Sequence, residues 1–532
     1  MKSDISKVGF TNAYNEFYNN ADIHRWAELT EYKRIIDSYT VDGDGAVVNT
    51  AEGDRALHKI NILSDKKRSD ILSAETDITV LGKCYYVSES GNDNNDGLSA
   101  ESSWKTLSKV SEFEFAEGDA VFFKRGDVFR GNLKLCDGVS YSAYGTGEKP
   151  KLYGSPENGA DPEKWHLAAG TDNIWIYEKE MPDVGLVVFN DGEEWSEKAV
   201  PSFIDGRYTV RGAADNKAFD FKTELSDLEI FSCCNKELKD GFPARLTKGK
   251  LYFRCDRGNP GTIYNSIEFN TCGNILEGGG CKNVTVDNLC IKYGGSHGIG
   301  AGHVKNLSVK NCEIGWIGGG VQFYSKTNGT AIRYGNGIEV YGSCDGYYVI
   351  NNYVYQCYDA AITHQQGAGG TSYEFKDVVY ANNLVEDCIY SIEYFMSAPQ
   401  DSQYTRVMKN LRIENNIFRR AGYGFGSQRP NENFATHIMG WWTSLNKAES
   451  FIIINNIFDR STQTLIQINA EEKDSLPKLE DNTYLQNTDG FFGRFGFNNK
   501  NTNYFSKQNF YRLKTKDYIQ SIDKTEKIYF IK

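Results

Sequence analysis

KNLRIENNIF (residues 409–418) and SFIIINNIF (residues 450–458) follow one pattern, in which a short apolar stretch runs into a pair of asparagines. Apolar and polar residues alternate in Leu411, Arg412 and Ile413, which is typical of a β-strand with one buried face. The asparagine that follows marks a bend. Asparagine tolerates a left-handed turn conformation, and its side-chain amide can bond to a neighbouring segment of chain.

Five more runs share this pattern: KNVTVDNLCI (282–291), KNLSVKNCEI (305–314), GYYVINNYVYQC (346–357), DVVYANNLVEDC (377–388) and KLEDNTYLQN (478–487). The markers we align are Asn288, Asn311, Asn352, Asn383, Asn416, Asn456 and Asn482. Their spacing varies from 23 to 41 residues. The shortest interval fits one coil of a parallel β-helix, and the longer intervals leave room for loops. Stacked coils would place these amides in a row about 4.8 Å apart.

An asparagine ladder on irregular coils resembles the right-handed parallel β-helix proteins of the pectate-lyase-like superfamily. The resemblance covers residues 83–155 and 269–487, and YYVSESGNDNNDGLSAESSWKTLSKV (85–110) is similar to the opening coils of many carbohydrate-active members. It implies an all-β fold, a right-handed parallel β-helix or solenoid. The superfamily includes lyases, hydrolases, epimerases and non-enzymatic adhesins, so the fold alone does not select a function.

We divide the chain into five parts. Residues 1–82, with the helical pattern DIHRWAELTEYKRIID (22–37), form an N-terminal cap, and residues 83–155 form the first coils. The ladder is missing from residues 156–268, which we interpret as a β-rich insertion. Residues 269–487 form the main β-helix, and the aromatic residues of 488–532 suggest a C-terminal cap over the last coil, whose strand edges would otherwise be open.

Composition excludes several classes of partner. The 532-residue chain has a net charge of −12 and no long basic run, which argues against nucleic acid. No apolar stretch approaches the length of about 18 residues needed to span a membrane. The N-terminus, MKSDISKVGF, shows no signal peptide, so we expect a cytoplasmic protein, or a secreted one if a leader was removed. Nothing in the sequence predicts the oligomeric state.

Cysteine usage fits a cytoplasmic protein. No CxxC pair with metal-ligand spacing is present among the 12 cysteines. We interpret the cysteines as small buried hydrophobic residues with reduced thiols.

Candidate catalytic acids lie in the strands that follow the asparagine bends. Aligning the inward residues Ile299, Ile338, Ile362, Ile392, Phe425 and Ile466 gives an outward column of Gly300, Glu339, Thr363, Glu393, Gly426 and Gln467. Glu339 and Glu393 would stand two coils apart, with backbones separated by about 9.6 Å. Asp359 lies at the bend before Ile362 and could face the same cleft.

Paired carboxylates suit the hydrolysis of a glycosidic bond, in which one acts as acid and the other as base or nucleophile. We therefore predict a glycoside hydrolase that uses two of the acids Asp359, Glu393 and Glu339. The motifs WIGGG, RYGNGIE and YDAAITHQ also resemble those of bacterial β-helix proteins associated with glycan breakdown. The substrate would be an oligo- or polysaccharide. The estimated separation spans both retaining and inverting chemistry.

Residues around the acids are candidates for substrate binding. We read residues 318–336 as a loop over the cleft, or as an irregular extra coil, and aromatic rings there or in a later loop could stack on sugar faces. His364 should alternate inward unless its strand ends there, and a structural histidine is as good an interpretation for it and for His297 as a substrate contact. The predicted binding residues are His297, Trp316, Arg333, Tyr334, Thr363, His364, Gln365, Trp441 and Trp442.

A calcium site is a minor alternative. In GNDNNDG (91–97), Asn92, Asn94 and Asp96 fall at the ligand positions of a calcium loop, but the twelfth position is Ser103 rather than glutamate. We expect a plain turn here, and we predict no cofactor and no metal.

Two other functions remain open. A polysaccharide lyase or uronate epimerase would use a basic residue and acids that hold calcium. The outward column contains neither lysine nor arginine, and the nearest basic candidate is Arg333. A non-catalytic glycan-binding β-helix is the third hypothesis, and it predicts that the acids can be replaced without effect.

Overall fold

A computed structural model describes residues 50–233, 247–367, 371–396, 403–429, 435–443, 447–470, 473–488, 490–497, 511–512 and 516–532. Three long sheets of mainly parallel strands dominate this part of the chain. Consecutive strands along the chain fall in different sheets and then return one coil further on, which is the topology of a parallel β-helix. The predicted fold is confirmed.

Each sheet is a stack of one strand per coil. The first sheet contains, in spatial order, Cys84–Val87, Ala120–Lys124, Ser140–Tyr144, Lys282–Asp287, Val304–Lys310, Cys344–Ile350, Tyr373–Ala381, Arg406–Glu414, Lys447–Ile454 and Lys478–Glu480. The second contains Glu194–Trp195, Val184–Phe189, Ile267–Thr271, Cys290–Gly294, Glu313–Ile317, Tyr353–Cys357, Leu384–Glu386, Ile417–Ala421, Ile457–Ser461, Thr483–Asn487 and Ile528–Ile531, with Val128–Arg130 and Lys151–Tyr153 attached. The third contains Leu133–Lys134, Leu276–Gly279, Ile299–Gly302, Ile338–Tyr341, Ala360–Gln366, Tyr390–Met396, Thr436–Thr443, Thr464–Ala470, Phe491–Phe497 and Tyr511–Arg512.

The interior is filled by inward residues of all three sheets. Ile338, Ile362 and Ile392 from the third sheet are fully buried in one apolar cluster with Val349 of the first sheet and Val354 of the second. Stacking of like residues coil upon coil buries a continuous core, which a single coil could not do alone. The cysteines that the structure describes are free thiols, and most are buried.

An asparagine ladder runs along the bend between the first and second sheets. Asn352 donates from Nδ2 to Oδ1 of Asn383 at 3.1 Å, and Asn383 donates to Asn416 at 3.0 Å. Asn416 donates to Asn456 at 2.9 Å, and Asn456 donates to Asn482 at 3.1 Å. All five side chains are buried, so each amide satisfies polar groups that water cannot reach.

The sequence alignment was wrong at the first two markers. Strand pairing places Asn311 beside Asn351 and sets Cys312 beside Asn352. Asn288 and Asn311 therefore belong to the preceding column, whose members have positive φ, 59° at Asn288 and 53° at Asn311. The left-handed turn thus falls on the first residue of each pair, which also bonds its counterparts on neighbouring coils at Asn311 and Asn351, and the second residue forms the buried ladder.

The remaining chain packs against the sides of the β-helix. The helix Thr50–Leu72 lies along the second sheet, where Ile60 packs with Leu485 and Ile531, and Ile71 packs with Leu384 and Ile417. The predicted helical stretch 22–37 lies outside the described residues. The other helices in the described ranges are Leu107–Glu112, Phe221–Glu224, Pro260–Ile263 and Lys516–Ile522, with 3₁₀ turns at Pro162–Lys164, Asn190–Gly192, Phe425–Gln428 and Lys473–Ser475.

Residues between 156 and 268 build a separate five-stranded sheet. In spatial order its strands are Glu197–Lys198, Glu229–Cys233, Lys250–Arg254, Ile174–Tyr177 and Trp165–Leu167. Ser202–Ile204 and Arg207–Thr209 form a hairpin beside this sheet. The strand Val184–Phe189 pairs antiparallel with Ile267–Thr271, which joins this part of the chain to the second sheet of the β-helix.

The segment predicted as a loop over residues 318–336 is a hairpin. Gly320–Tyr324 pairs antiparallel with Ala331–Tyr334, so Arg333 and Tyr334 lie on a strand. Backbone N–H of Val321 donates to Asp183 at 2.7 Å, and Asp183 also accepts from the buried Lys198 at 2.5 Å. The hairpin is thereby fixed between the β-rich segment and the β-helix.

Candidate active site

The outward residues of the third sheet place two carboxylates on one face. Register aligns Glu339 with Thr363 and Thr363 with Glu393, so the two glutamates stand two coils apart as predicted. We call the outward residues from Glu339 onward the acid row. Its members are Glu339, Thr363, Glu393, Met439, Gln467 and Arg494.

The predicted column was wrong at one coil. Phe425 and Gly426 lie in the 3₁₀ turn Phe425–Gln428. Ile438 and Met439 take their places, because the strand Thr436–Thr443 pairs with Tyr390–Met396. The row also continues to Arg494, which pairs with Gln467.

The three candidate acids form one electrostatic cluster. Glu393 is 8% exposed, and burial raises the pKa of its carboxyl well above the usual value, with Asp359 and Glu339 raising it further. Asp359 and Glu339 are similarly buried. A carboxyl group whose anion is opposed by burial and by like charges has a raised pKa, which favours its protonated form. The structure therefore brings all three acids into one cluster, with Glu393 as the member whose pKa is raised.

Gln365 orients the acid. Its Nε2 donates to Oε2 of Glu393 at 2.6 Å. The bond favours the carboxylate and, like Arg429, opposes the increase in the Glu393 pKa that burial, Asp359 and Glu339 cause.

Arg429 lies against Asp359. The guanidinium forms a buried ion pair with the Asp359 carboxylate, and it also lies 5.8 Å from the ring centre of Tyr358 and 5.9 Å from that of Tyr390. Burial opposes the charge of Arg429, yet its pKa is raised, because Asp359, Tyr390 and Tyr358 outweigh that effect. The ion pair lies on the coil next to that of Glu393. The two coils are joined there by a hydrogen bond from the backbone N–H of Tyr390 to the Asp359 carbonyl at 3.3 Å.

Gln428 ties this arginine to the β-rich segment. Its Nε2 donates to the carbonyl of Ser196 at 2.9 Å, and its Oε1 accepts from the backbone N–H of Lys198 at 3.3 Å. Both bonds are to backbone, so the residue before Arg429 is fixed to a strand of another sheet.

His297 and Asn336 contact Glu339. Asn336 donates from Nδ2 to Oε2 of Glu339 at 2.6 Å, and Nδ1 of His297 lies 3.0 Å from the same oxygen. Nδ1 also accepts the backbone N–H of Asn336 at 3.1 Å. The two contacts share one ring nitrogen, so Asn336 and Glu339 together fix the position of the imidazole.

The hairpin supplies two predicted residues to the surroundings of the acids. Tyr334 packs edge-on against His297 with ring centres 5.1 Å apart. Arg333 donates from Nε to the Gly319 carbonyl at 2.7 Å, and it lies 4.3 Å from the ring centre of Tyr358. Both are buried, so in this structure they form a wall beside the acids.

Other predicted binding residues lie elsewhere. His364 points inward, where Nδ1 bonds to the hydroxyl of Tyr380 at 2.7 Å, and burial lowers its pKa to about 3. Alternation along the strand excludes it from the outward face. Trp316 is buried in an apolar cluster with Phe425.

Thr363 lies at the site, between the two glutamates, and its hydroxyl has no hydrogen-bond partner among the described residues.

Trp441 and Trp442 fall on the strand Thr436–Thr443, where Trp441 pairs with Phe395. Their side chains lie outside the described residues.

Sequence reasoning missed Arg429, Gln428 and Asn336. The motif RYGNGIE contains Asn336 three residues before Glu339, a spacing that could have suggested a local contact. Arg429 carries no comparable signal, because it reaches Asp359 from a turn far along the chain.

The acidic side chains of the loop 91–97 accept hydrogen bonds from neighbouring residues of the chain. Asp93 accepts from the backbone of Lys105 at 2.8 Å and from Thr106, and Asp96 accepts from Ser102 Oγ at 2.6 Å. Within the described ranges, no group of three or more His, Cys, Asp or Glu residues is arranged to hold a metal ion. No helix in the described part of the chain is long and apolar enough to span a membrane.

Comparisons give no named relative by sequence. No model of a known protein family matches the chain, and no curated protein matches it.

Among solved structures, the chain is similar to a protein described as a glycoside hydrolase, with a TM-score of 0.44, 8% identity, and coverage of 79% of this chain and 95% of that one. It is similar to the GH136 lacto-N-biosidase from Eubacterium ramulus, with a TM-score of 0.36, 14% identity, and coverage of 94% and 80%. It is also similar to a polygalacturonase from Erwinia carotovora ssp. carotovora, with a TM-score of 0.30, 11% identity, and coverage of 81% and 99%. These TM-scores are too low to assign the fold, so the assignment depends on the strand pairing within the chain. That pairing identifies a parallel β-helix protein.

Proposed function

We propose that the protein is a glycoside hydrolase that acts on an oligo- or polysaccharide, with Glu393 as general acid. One observation carries the proposal. Glu393 is buried on the outward face of the third sheet beside two further acids, and burial together with Asp359 raises its pKa well above the usual value. Hydrolysis of a glycosidic bond needs a carboxylic acid that is still protonated at neutral pH and a second carboxylate.

Asp359 is the second carboxylate in this proposal. Its ion pair with Arg429 provides an anion on the coil beside Glu393, suited to act as base or nucleophile. Glu339, bonded to Asn336 and next to His297, adds negative charge that favours the protonated form of Glu393. The configuration of the first product, read by proton NMR, distinguishes retention from inversion.

The arginines at the site do not favour a lyase. β-Elimination needs a base, and the Arg429 guanidinium is charged and already paired with Asp359. Because its surroundings raise its pKa, Arg429 stays protonated and has no site left to accept a proton. Arg333 is engaged as a donor to the carbonyls of Gly319 and Gly185.

A leaving-group experiment tests the proposal. Glu393→Gln should lower turnover of an alkyl glycoside by roughly 10²–10⁴-fold. Hydrolysis of a dinitrophenyl glycoside should fall much less, because that leaving group departs without a proton. Asp359→Asn should lower turnover of both substrates, since the loss of a base or nucleophile affects every leaving group.

Glu277 offers a matched control. It lies on the same face, two coils before Glu339, and is exposed. Glu277→Gln should retain full turnover. Full activity in each of Glu339→Gln, Asp359→Asn and Glu393→Gln would overturn the assignment of these acids. Glycan binding by the wild type without turnover of any glycoside would leave the glycan-binding alternative. A product that absorbs as an unsaturated uronate would instead identify a lyase.

A further inference from the structure

A second outward row runs beside the acid row. Tyr341, Gln365 and Phe395 each follow two residues after Glu339, Thr363 and Glu393, and strand register aligns them with one another. Residues two apart in a strand point to the same face and lie about 6.6 Å apart along it. The two aromatic rings therefore flank Gln365, the residue that bonds to Glu393.

Tyr341 is held in place while its ring remains open to solvent. Its hydroxyl accepts the backbone N–H of Gly367 at 3.2 Å. A Cβ atom at Gly367 would lie 2.6 Å from that hydroxyl oxygen, so glycine there permits the close approach. The side chain is 45% exposed, whereas Glu339 beside it is 9% exposed. Phe395 is half-buried.

Exposure indicates the direction from which a substrate approaches. On the other side the acids are bounded by the buried residues Arg333, Tyr334 and Arg429. An open ring fixed at its far end loses little conformational freedom when a ligand stacks on it. The polarised C–H groups of a pyranose ring suit the electron-rich face of such an aromatic side chain.

Charge selects the class of sugar. Asp359 and Glu339 beside the protonated Glu393, together with a net charge of −12, oppose an anionic ring at this position. Arg429 is engaged by Asp359, and Arg333 by the carbonyls of Gly319 and Gly185.

We infer that Tyr341 and Phe395 form a stacking platform for a neutral pyranose unit, the one next to the bond that is cut. The inference rests on the proposed hydrolase function and specifies its substrate as a neutral glycan rather than a polyuronate. The platform orients the sugar, and the acids perform the chemistry.

Calorimetry in the Glu393→Gln background tests the platform without turnover. The probes are neutral tetrasaccharides of β-linked glucose, galactose and N-acetylglucosamine, together with a galacturonic acid trimer. Tyr341→Ala should weaken binding of the preferred neutral probe by about three- to tenfold. Phe395→Ala should weaken it in the same direction. Tyr341→Phe keeps the ring and should weaken it less.

Tyr423→Ala is the matched control, because Tyr423 is exposed to a similar degree but lies outside both rows. It should bind as the parent does. Unchanged affinity in Tyr341→Ala, or no binding of any neutral probe, overturns the platform. Tighter binding of the galacturonate trimer than of every neutral probe overturns the assignment of a neutral sugar.

The outcome for the hydrolase is separate. If the wild type cleaves no glycoside while neutral binding still depends on Tyr341, the platform stands and the proposed catalysis fails. If the wild type cleaves and Tyr341→Ala binds normally, the catalysis stands and the platform fails.

Discussion

Nε2 of Gln365 donates a 2.6 Å hydrogen bond to Oε2 of Glu393 on the next coil. This bond stabilises the carboxylate and so lowers the Glu393 pKa, although burial and Asp359 raise it overall. Gln365, in the outward row beside the acid row, therefore lowers the pKa of Glu393, the group proposed to protonate the leaving oxygen.

Removing this bond should extend activity to higher pH. In Gln365→Leu the Glu393 pKa rises further, so the acid stays protonated longer and the alkaline limb of the kcat profile moves upward. Gln366→Ala, which changes an amide bonded to Gly367, should leave that limb in place. A downward shift in Gln365→Leu would contradict the assigned direction.

Arg429→Met should also move the alkaline limb upward. The guanidinium lowers the Glu393 pKa, so its loss raises that pKa. Turnover should fall on the order of 10²-fold or more, as it does when a buried electrostatic partner is removed from a reacting group. Arg429→Lys keeps the charge and should show the smaller shift. Steady-state kinetics over the full pH range measures both effects.

Gln428→Leu should reproduce the Arg429→Met shift in weaker form. The variant loses both bonds to the backbone of Ser196 and Lys198, so Arg429 is held less firmly against Asp359. A fall in turnover with an unmoved pH profile would make Gln428 a purely structural residue. Gln428→Asn, which keeps the amide, should recover part of the activity.

Glu393→Gln should stabilise the fold at alkaline pH while lowering turnover of alkyl glycosides. The folded-state pKa of Glu393 lies above the unfolded value, so its favourable contribution is complete below about pH 4.3 and is lost as pH rises through the folded pKa. The midpoint temperature of the variant relative to wild type should therefore rise between pH 5 and pH 8. A constant difference across that range would contradict the raised pKa.

Asn416→Ala should cost about 3 kcal/mol of stability, because several buried polar groups lose their partners. Its Nδ2 bonds to the Tyr380 carbonyl and to Asn456, and its Oδ1 accepts from Asn383. Asn415→Gly is the control, since Asn415 has φ of 57° and glycine accepts that conformation. Its midpoint temperature should change little, and equal losses in the two variants would argue against the ladder as a stabilising element.

Sequence periodicity was sufficient for the fold and for the relative placement of Glu339, Thr363 and Glu393. These strands share an inward isoleucine directly before the outward residue, so alignment by alternation gives the true register. It failed at Phe425, where a similar pattern folds as a 3₁₀ turn. Alternation describes a strand once one exists but does not establish that the segment is a strand.

The partners of the acids were harder to predict. Arg429 contacts Asp359 across a large sequence separation, and it is held there by Gln428 bonded to another sheet. Such contacts depend on how the β-rich segment docks on the β-helix, and no local pattern encodes that. His364 shows the opposite case, since alternation alone predicted its inward position.

The asparagine ladder has a direction. Each amide from Asn352 onward donates one N–H to the next asparagine toward the C-terminus and the other to a backbone carbonyl of the preceding coil. The last one, Asn482, donates at 2.8 Å to the buried side chain of Asp523 instead of to a further asparagine. Aligned amide dipoles accumulate positive potential at the end where the N–H groups point, as at the N-terminus of an α-helix. Asp523 thus supplies the acceptor at the end toward which the bonds between the asparagines point. A chain ending before Asp523 would leave the last amide of the row without that acceptor.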